Sequence, residues 1–420
     1  MDAEKEYSKN PHGVNLSEIA SRGSSFFFCR LWHSGPECAM IIYKVKDECV
    51  NGQDQAAARR RSGERAYLSG CDNGLVRSPV QHIRGGVQEM DQLTRNVMMA
   101  MLCAQRYPWE QGTAAQALYE AGESSAWLQM AYDSVTQSLP DGRLAMLGSR
   151  EAVADPASAG EVCLRAYQKT GQQRFLKAAQ GMLDYLMHKA PRTDDGLICH
   201  NTVSYHEGCT PYQLWVDAIY MMPPFLAVMG EADEAIRQIN GYIRNLFCED
   251  SGLFFHIYDA AGAKFIRRVP WATGNGWALL GMTRTAEELR KQSRPKDADA
   301  LFCRIVTVTE AMAPLETEDG CFHDILDDPS AFTDHTSALM FAASVYRNIL
   351  NGVLPPAFRA YADRAVLGAE KDIDAFGILH SVCGCPDFVR PGTSVEAQAA
   401  YIMARAWQEK AEQKERDSFK

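Results

Sequence analysis

From Asp91 onward the apolar positions recur at helical spacing. Val97, Met98, Met101, Leu102 and Gln105 fall on one face, and the alanine-rich run Thr113–Ala121 continues the theme. Alternation of β-branched with polar residues is rare, so the predicted body is helical. Residues 1–88 differ: they hold short apolar patches, the run Arg59-Arg60-Arg61 and many polar positions, with no sustained period. They read as an atypical, loosely ordered N-terminal extension. The folded body is expected over 89–410, followed by a charged C-terminal tail over 411–420.

A repeat organises the body. Asp141-Gly142 is followed by Asp195-Gly196 with His200, Ser251-Gly252 with His256, Asp319-Gly320 with His323, and Phe376-Gly377 with His380. The glycines are 54, 56, 68 and 57 residues apart, the length of two helices and two loops. A glycine at each turn permits a positive φ, and the short apolar stretch after it tucks back to the core. Some 320 residues at this period make about six hairpins. Closed into a ring, these form an all-α (α/α)6 barrel, the six-hairpin toroid. An open superhelical stack is the alternative, and the lack of a polar capping unit at either end favours closure. The repeated loops would share one rim, where a helical barrel holds its site.

Composition narrows the function. The net charge of −10 argues against a nucleic-acid partner, which needs a clustered basic face, yet leaves an anionic small substrate open. No run of 18 apolar residues exists to span a membrane, and no secretory signal is visible. The thirteen cysteines include no CxxC pair, which fits reduced thiols and a cytoplasmic protein. Cys383 and Cys385 read as a packed turn before a metal site. No HxH or HExxH spacing occurs, so neither metal nor cofactor is expected.

Several segments carry candidate chemistry. Asp217 stands alone in the apolar run Trp215–Phe225, and a carboxylate in such surroundings holds its proton near neutrality, as a general acid must. The competing reading is a structural or capping aspartate. On a helix, Asp217 and Tyr220 would share a face, with Gln213 one turn back. Asp155, in Asp155-Pro156, reads as a helix cap or as a second carboxylate facing the same cavity. Trp271, Thr273, Asn275 and Trp277 surround a Gly-Asn-Gly turn at a helix start, either a sugar platform or a hydrophobic hairpin. Trp109, followed by Glu110-Gln111, is another aromatic platform or a plain helix start. The four repeated histidines read as site residues or as turn locks.

These segments, in this order, resemble glycoside hydrolase family 105, the unsaturated rhamnogalacturonyl or uronyl hydrolases. The carriers are Trp109–Gly112, Asp155 with Gly160, Pro191–Gly196 with His200, Trp215–Asp217 through Phe225, Gly252–His256, and Trp271–Trp277. The tail Cys383–Gly392 looks like the fungal branch of that family. The resemblance covers about residues 92–408. It implies an (α/α)6 barrel that removes a 4,5-unsaturated uronic acid from the non-reducing end of pectin-type oligosaccharides, by hydrating the C4–C5 double bond without a metal. Asp217 then matches the general acid/base and Asp155 the second essential carboxylate. His256, Trp271 and His200 match substrate-binding positions. Two departures stand out. Thr273 stands where bacterial members usually have an arginine, a natural partner for the uronate carboxylate, and Asp334-His335 stands where family members tend to have Glu-Thr. They leave open a sugar 2-epimerase using His200, His256 and His380, a metabolite-tailoring enzyme, and a non-catalytic saccharide-binding relative.

Overall fold

The computed structural model describes residues 90–418 apart from Pro386. The expectation for residues 1–88 lies outside the described residues. The helices, in chain order, are α1 (Gln92–Ala104), α2 (Pro108–Glu120), α3 (Ser124–Thr136), α4 (Ala157–Thr170), α5 (Gln173–His188), α6 (Ala218–Met221) and α7 (Pro223–Val228). They continue with α8 (Ala232–Leu246), α9 (Ala272–Lys291), α10 (Pro295–Met312), α11 (His335–Leu350), α12 (Arg359–Lys371) and α13 (Val395–Ser418). Residues 411–418 therefore prolong the last helix rather than forming a separate tail.

Burial sorts the helices into two layers. In α5 the buried positions are Phe175, Ala179, Met182, Tyr185 and Leu186, one stripe at helical spacing, as an outer helix requires. In α11 every residue from His335 to Asn348 is buried, the signature of an inner helix enclosed on all sides. Helix α2 packs on α4, α4 on α7, α7 on α9, α9 on α11, α11 on α13, and α13 back on α2, which closes an inner ring. The third inner element is broken into α6 and α7, because Pro223 lacks the N–H that would continue the helix. Outside lie α1, α3, α5, α8, α10 and α12. The fold is an (α/α)6 toroid.

The repeated glycines seal the layers. All five have positive φ, from 71° at Gly252 to 108° at Gly142. Each faces the next outer helix: a Cβ on Gly320 would sit 2.3 Å from the Arg364 carbonyl oxygen of α12, and one on Gly377 2.3 Å from the Asn96 backbone of α1. The last repeat thus packs on the first outer helix, and the ring closes there.

Two local expectations change. Gly274-Asn275-Gly276 is not a turn; it lies within the first two turns of α9. Its glycines admit close neighbours, since added Cβ atoms would approach Val216 at 2.5 Å and Met340 at 2.8 Å. Gln213 is not one helical turn before Asp217. It opens the strand Gln213–Trp215, which pairs antiparallel with Ile257–Asp259, itself paired with Lys264–Arg267. The register sets Trp215 beside Ile257 and Ile257 beside Arg267.

Candidate active site

A cavity of about 630 Å³ opens over the N-terminal ends of α2, α4, α6, α9 and α13. That end of a helix presents unpaired N–H groups and favours negative charge. The three-stranded sheet brings Trp215, Ile257 and Arg267 to its wall.

Asp217 precedes α6 directly and makes no side-chain cap. Its Oδ2 is buried and has no hydrogen-bond partner. Burial pushes its pKa up to about 7, against a smaller downward pull from Arg267. Asp155 likewise makes no cap to α4, so the capping reading is not realised. Its carboxyl is held well above the usual range by burial and by the charge of Asp217. His200 Nε2 lies 3.6 Å from Asp155 Oδ1. Burial lowers the His200 pKa to about 3, so the ring is neutral at ordinary pH. It stacks on Trp215, ring centres 4.6 Å apart and planes 6° from parallel.

Across the cavity, His256 stacks on Trp271 at 4.2 Å. Its Nδ1 lies 3.0 Å from Arg267 Nη1. Because a guanidinium only donates, Nδ1 is the acceptor and the ring proton sits on Nε2. Burial and the nearby Arg267 charge keep this imidazole neutral. Trp271 Nε1 donates to Asp324 Oδ1 at 2.9 Å. Phe388 stands between Trp109 and Trp271, 6.2 and 5.8 Å from them. Trp277 completes the floor, 4.6 Å from Tyr220.

The structure thus gathers Asp155, Asp217, His200, His256, Trp109, Trp271 and Trp277 around one cavity. It does not bring Thr273 or Asn275 there. Thr273 is buried and donates to Asp334 Oδ2 at 2.5 Å. Asn275 ties Phe254 and Trp271 together, accepting from Phe254 N and donating to both carbonyls. Thr273 lies on the side of α9 opposite Trp271, whereas Asn275, one turn on from Trp271, shares its side but is engaged by the Phe254 and Trp271 backbones. His323 bonds the Ala331 carbonyl, and His380 is exposed and paired with Asp374. Asp334 caps α11 through Thr336 N and Ser337 N, so the Asp334-His335 departure is architectural. Cys383 belongs to a small two-stranded pairing, opposite Pro391, and Cys385 follows it, and no group of metal-ligating side chains occurs among the described residues.

Arg267 and Glu396 were missed. Glu396 is buried in the first turn of α13, in the cavity wall, and burial with the neighbouring Glu110 pushes it up to about 8. It carried the same signal as Asp217, a lone carboxylate among Val395, Ala397 and Ala399. Arg267 carried none.

A closed (α/α)6 toroid with an aromatic cavity and three carboxyls of raised pKa, Asp155, Asp217 and Glu396, defines a carbohydrate-active hydrolase. Comparison with known proteins agrees. A protein named unsaturated rhamnogalacturonyl hydrolase YesR, from Bacillus subtilis (strain 168), is 28% identical over 258 residues, covering 57% of this chain and 72% of that one. The fold matches a possible member of the GH105 family from Salmonella enterica serovar Paratyphi A, with TM-score 0.66 and 18% identity over 80% of this chain and 97% of that one. It also matches a family 105 glycoside hydrolase from C. acetobutylicum, with TM-score 0.63 and 18% identity over 76% and 98% of the chains. The family model described as Glycosyl Hydrolase Family 88 matches residues 85–390, and the chain belongs to that family. It is a glycoside hydrolase, and the likeness to family 105 carried by its motifs stands.

Proposed function

We propose that the protein removes a 4,5-unsaturated uronic acid from the non-reducing end of pectin-type oligosaccharides, with Asp217 as the proton donor. The observation that carries this reading is Asp217 itself. A carboxyl with a buried, unpartnered Oδ2, pushed up to about 7, keeps a transferable proton at neutral pH beside a second carboxylate. Asp217 delivers its proton to C4, and the water oxygen bonds to C5. The second proton of that water returns to the Asp217 carboxylate. The hemiketal formed at C5 opens by breaking the bond from C5 to the ring oxygen, which takes the hemiketal proton. The hemiacetal this leaves at C1 then collapses, its hydroxyl proton passing to the glycosidic oxygen as the C1–O bond breaks and the remaining sugar leaves. Asp155 is the second carboxylate, competing with Asp217 for one proton. The Nε2–H of His256 and the faces of Trp271, Trp277 and Trp109 line the sugar subsite, with His200 behind Asp155.

The name of the Bacillus relative supports a pectin-derived substrate, and the tail Cys383–Gly392, which carries Phe388 into the cavity wall, supports placement in the fungal-type branch. Nine free cysteines among the described residues support a cytoplasmic location. A sugar 2-epimerase using three histidines is disfavoured, because His380 lies outside the cavity.

Such substrates absorb in the ultraviolet through the double bond. Purified protein should bleach that absorbance on an unsaturated galacturonyl or glucuronyl oligosaccharide. No bleaching across a panel of both would reject the reading, and saccharide binding without turnover would leave the non-catalytic relative.

A further inference from the structure

Thr273 is turned away from the cavity onto Asp334 and carries no charge. A uronate substrate still brings a carboxylate into a largely apolar pocket, and burying that charge without a partner is costly. The cation must come from another element.

Two arginines line the cavity, Arg150 and Arg267. Arg150 is exposed. Arg267 ends the strand Lys264–Arg267, and its side chain is 22% exposed. Its guanidinium is fixed from several sides. Nη2 pairs with Asp324 Oδ2 at 3.2 Å, while Nη1 meets His256 Nδ1 at 3.0 Å and the Phe388 carbonyl at 3.4 Å. The group lies 5.8 Å from the centre of the Trp271 ring. Asp324 is anchored in turn by Trp271 Nε1. These contacts engage at most three of the five guanidinium N–H groups. The planar fork is thus held beside the two aromatic stacks with donors to spare, the geometry that suits a carboxylate.

We propose that Arg267 receives the uronate carboxylate of the substrate, supplying from a strand end the charge that residue 273 does not provide. This rests on the uronyl hydrolase reading above. The carboxylate is attached to C5, where positive charge develops during protonation at C4. A guanidinium there gives that charge no support. Its contribution is to binding and orientation, so it acts on KM more than on kcat.

The test compares a uronyl substrate with its neutral methyl ester, in the full-length protein and in Arg267→Gln, Arg267→Lys and Arg150→Gln. Losing a charge-assisted pair should lower the acid-to-ester ratio of kcat/KM by about 10- to 100-fold in Arg267→Gln, mainly through KM. Arg267→Lys should recover part of it, and Arg150→Gln should keep it. A ratio unchanged in Arg267→Gln, or lost in Arg150→Gln instead, overturns the proposal. If Arg267→Gln does not fold, a wild-type-like ratio, KM and salt dependence in Arg267→Lys overturns it, because a point charge cannot reproduce the fork. If the wild-type protein turns over no unsaturated uronide, the functional reading fails separately. Calorimetric titration with galacturonate and its methyl ester then decides the arginine: acid preference present in wild type and lost in Arg267→Gln supports it, and no acid preference in wild type overturns it.

Discussion

His200 Nε2 stands 3.6 Å from Asp155 Oδ1, with both side chains less than a tenth exposed. The contact is not an ion pair, because burial keeps the imidazole neutral, its pKa lowered to about 3. Asp155 therefore gains no cation from its neighbour, and the charge of Asp217 presses its proton affinity further up. Two carboxyls and no cation between them retain a proton at neutral pH, the condition for acid catalysis there.

Replacing Asp217 by Asn keeps the volume and removes that proton. Turnover should fall by a factor on the order of 10² to 10⁴, while saccharide affinity changes much less. Steady-state kinetics with parallel calorimetric binding checks both; near-normal turnover in folded Asp217→Asn protein would sink the assignment.

The same variant should be more stable than wild type at high pH. The folded-state pKa of Asp217 is raised above its unfolded value of 3.8, so its stabilising effect is present below that value and lost as pH rises through about 7. Above pH 7 the wild-type protein buries a charge that Asn lacks, a difference on the order of 4 kcal/mol by linkage. Melting temperatures should favour Asp217→Asn at pH 8 and converge near pH 4.

The pH–rate profile should be a bell. As pH rises through about 7 the acid form of Asp217 is lost and kcat/KM falls. On the acid side the rate falls as the coupled Asp155–Asp217 pair takes up its second proton. A rate that is flat from pH 4 to 9 contradicts the carboxylate pair.

Thr273→Ala should cost stability without changing substrate choice. The substitution leaves Asp334 Oδ2 with one donor fewer in a buried site, a loss of about 1–3 kcal/mol. The acid-to-ester preference of the folded variant should match wild type. A shift in that preference would return residue 273 to the sugar subsite.

Gly377→Ala should loosen the ring where it closes. Its φ is 81°, and the new Cβ would meet the Asn96 backbone at 2.3 Å. The combined backbone and steric cost is about 2 kcal/mol or more. Hydrogen exchange should rise first in α1, and unchanged protection there would show that the contact does not hold the ring.

Much of this protein follows from local sequence. The repeated glycines mark turns that only a residue without a Cβ adopts freely, so their period announced six hairpins before any contact was known. The solitary Asp217 in an apolar run announced a carboxyl with nowhere to hide its charge, and Glu396 carried the same mark unnoticed. Which side chains meet was decided only by closure of the toroid. The sheet that sets Arg267 beside Ile257 joins short strands with no alternating pattern to reveal them. Thr273 and Asn275 share a motif and helix faces with Trp277 and Trp271, yet only the tryptophans line the cavity, because Asp334 engages Thr273 and the Phe254 backbone engages Asn275. His200 follows its repeat glycine by four residues and His380 by three, and the first lies in the cavity wall while the second sits in a solvent-facing turn. Spacing fixes conformation because turns and helix faces are local. Burial, charge pairing and proton affinity depend on what arrives from elsewhere in the chain, and that is settled when the ring closes.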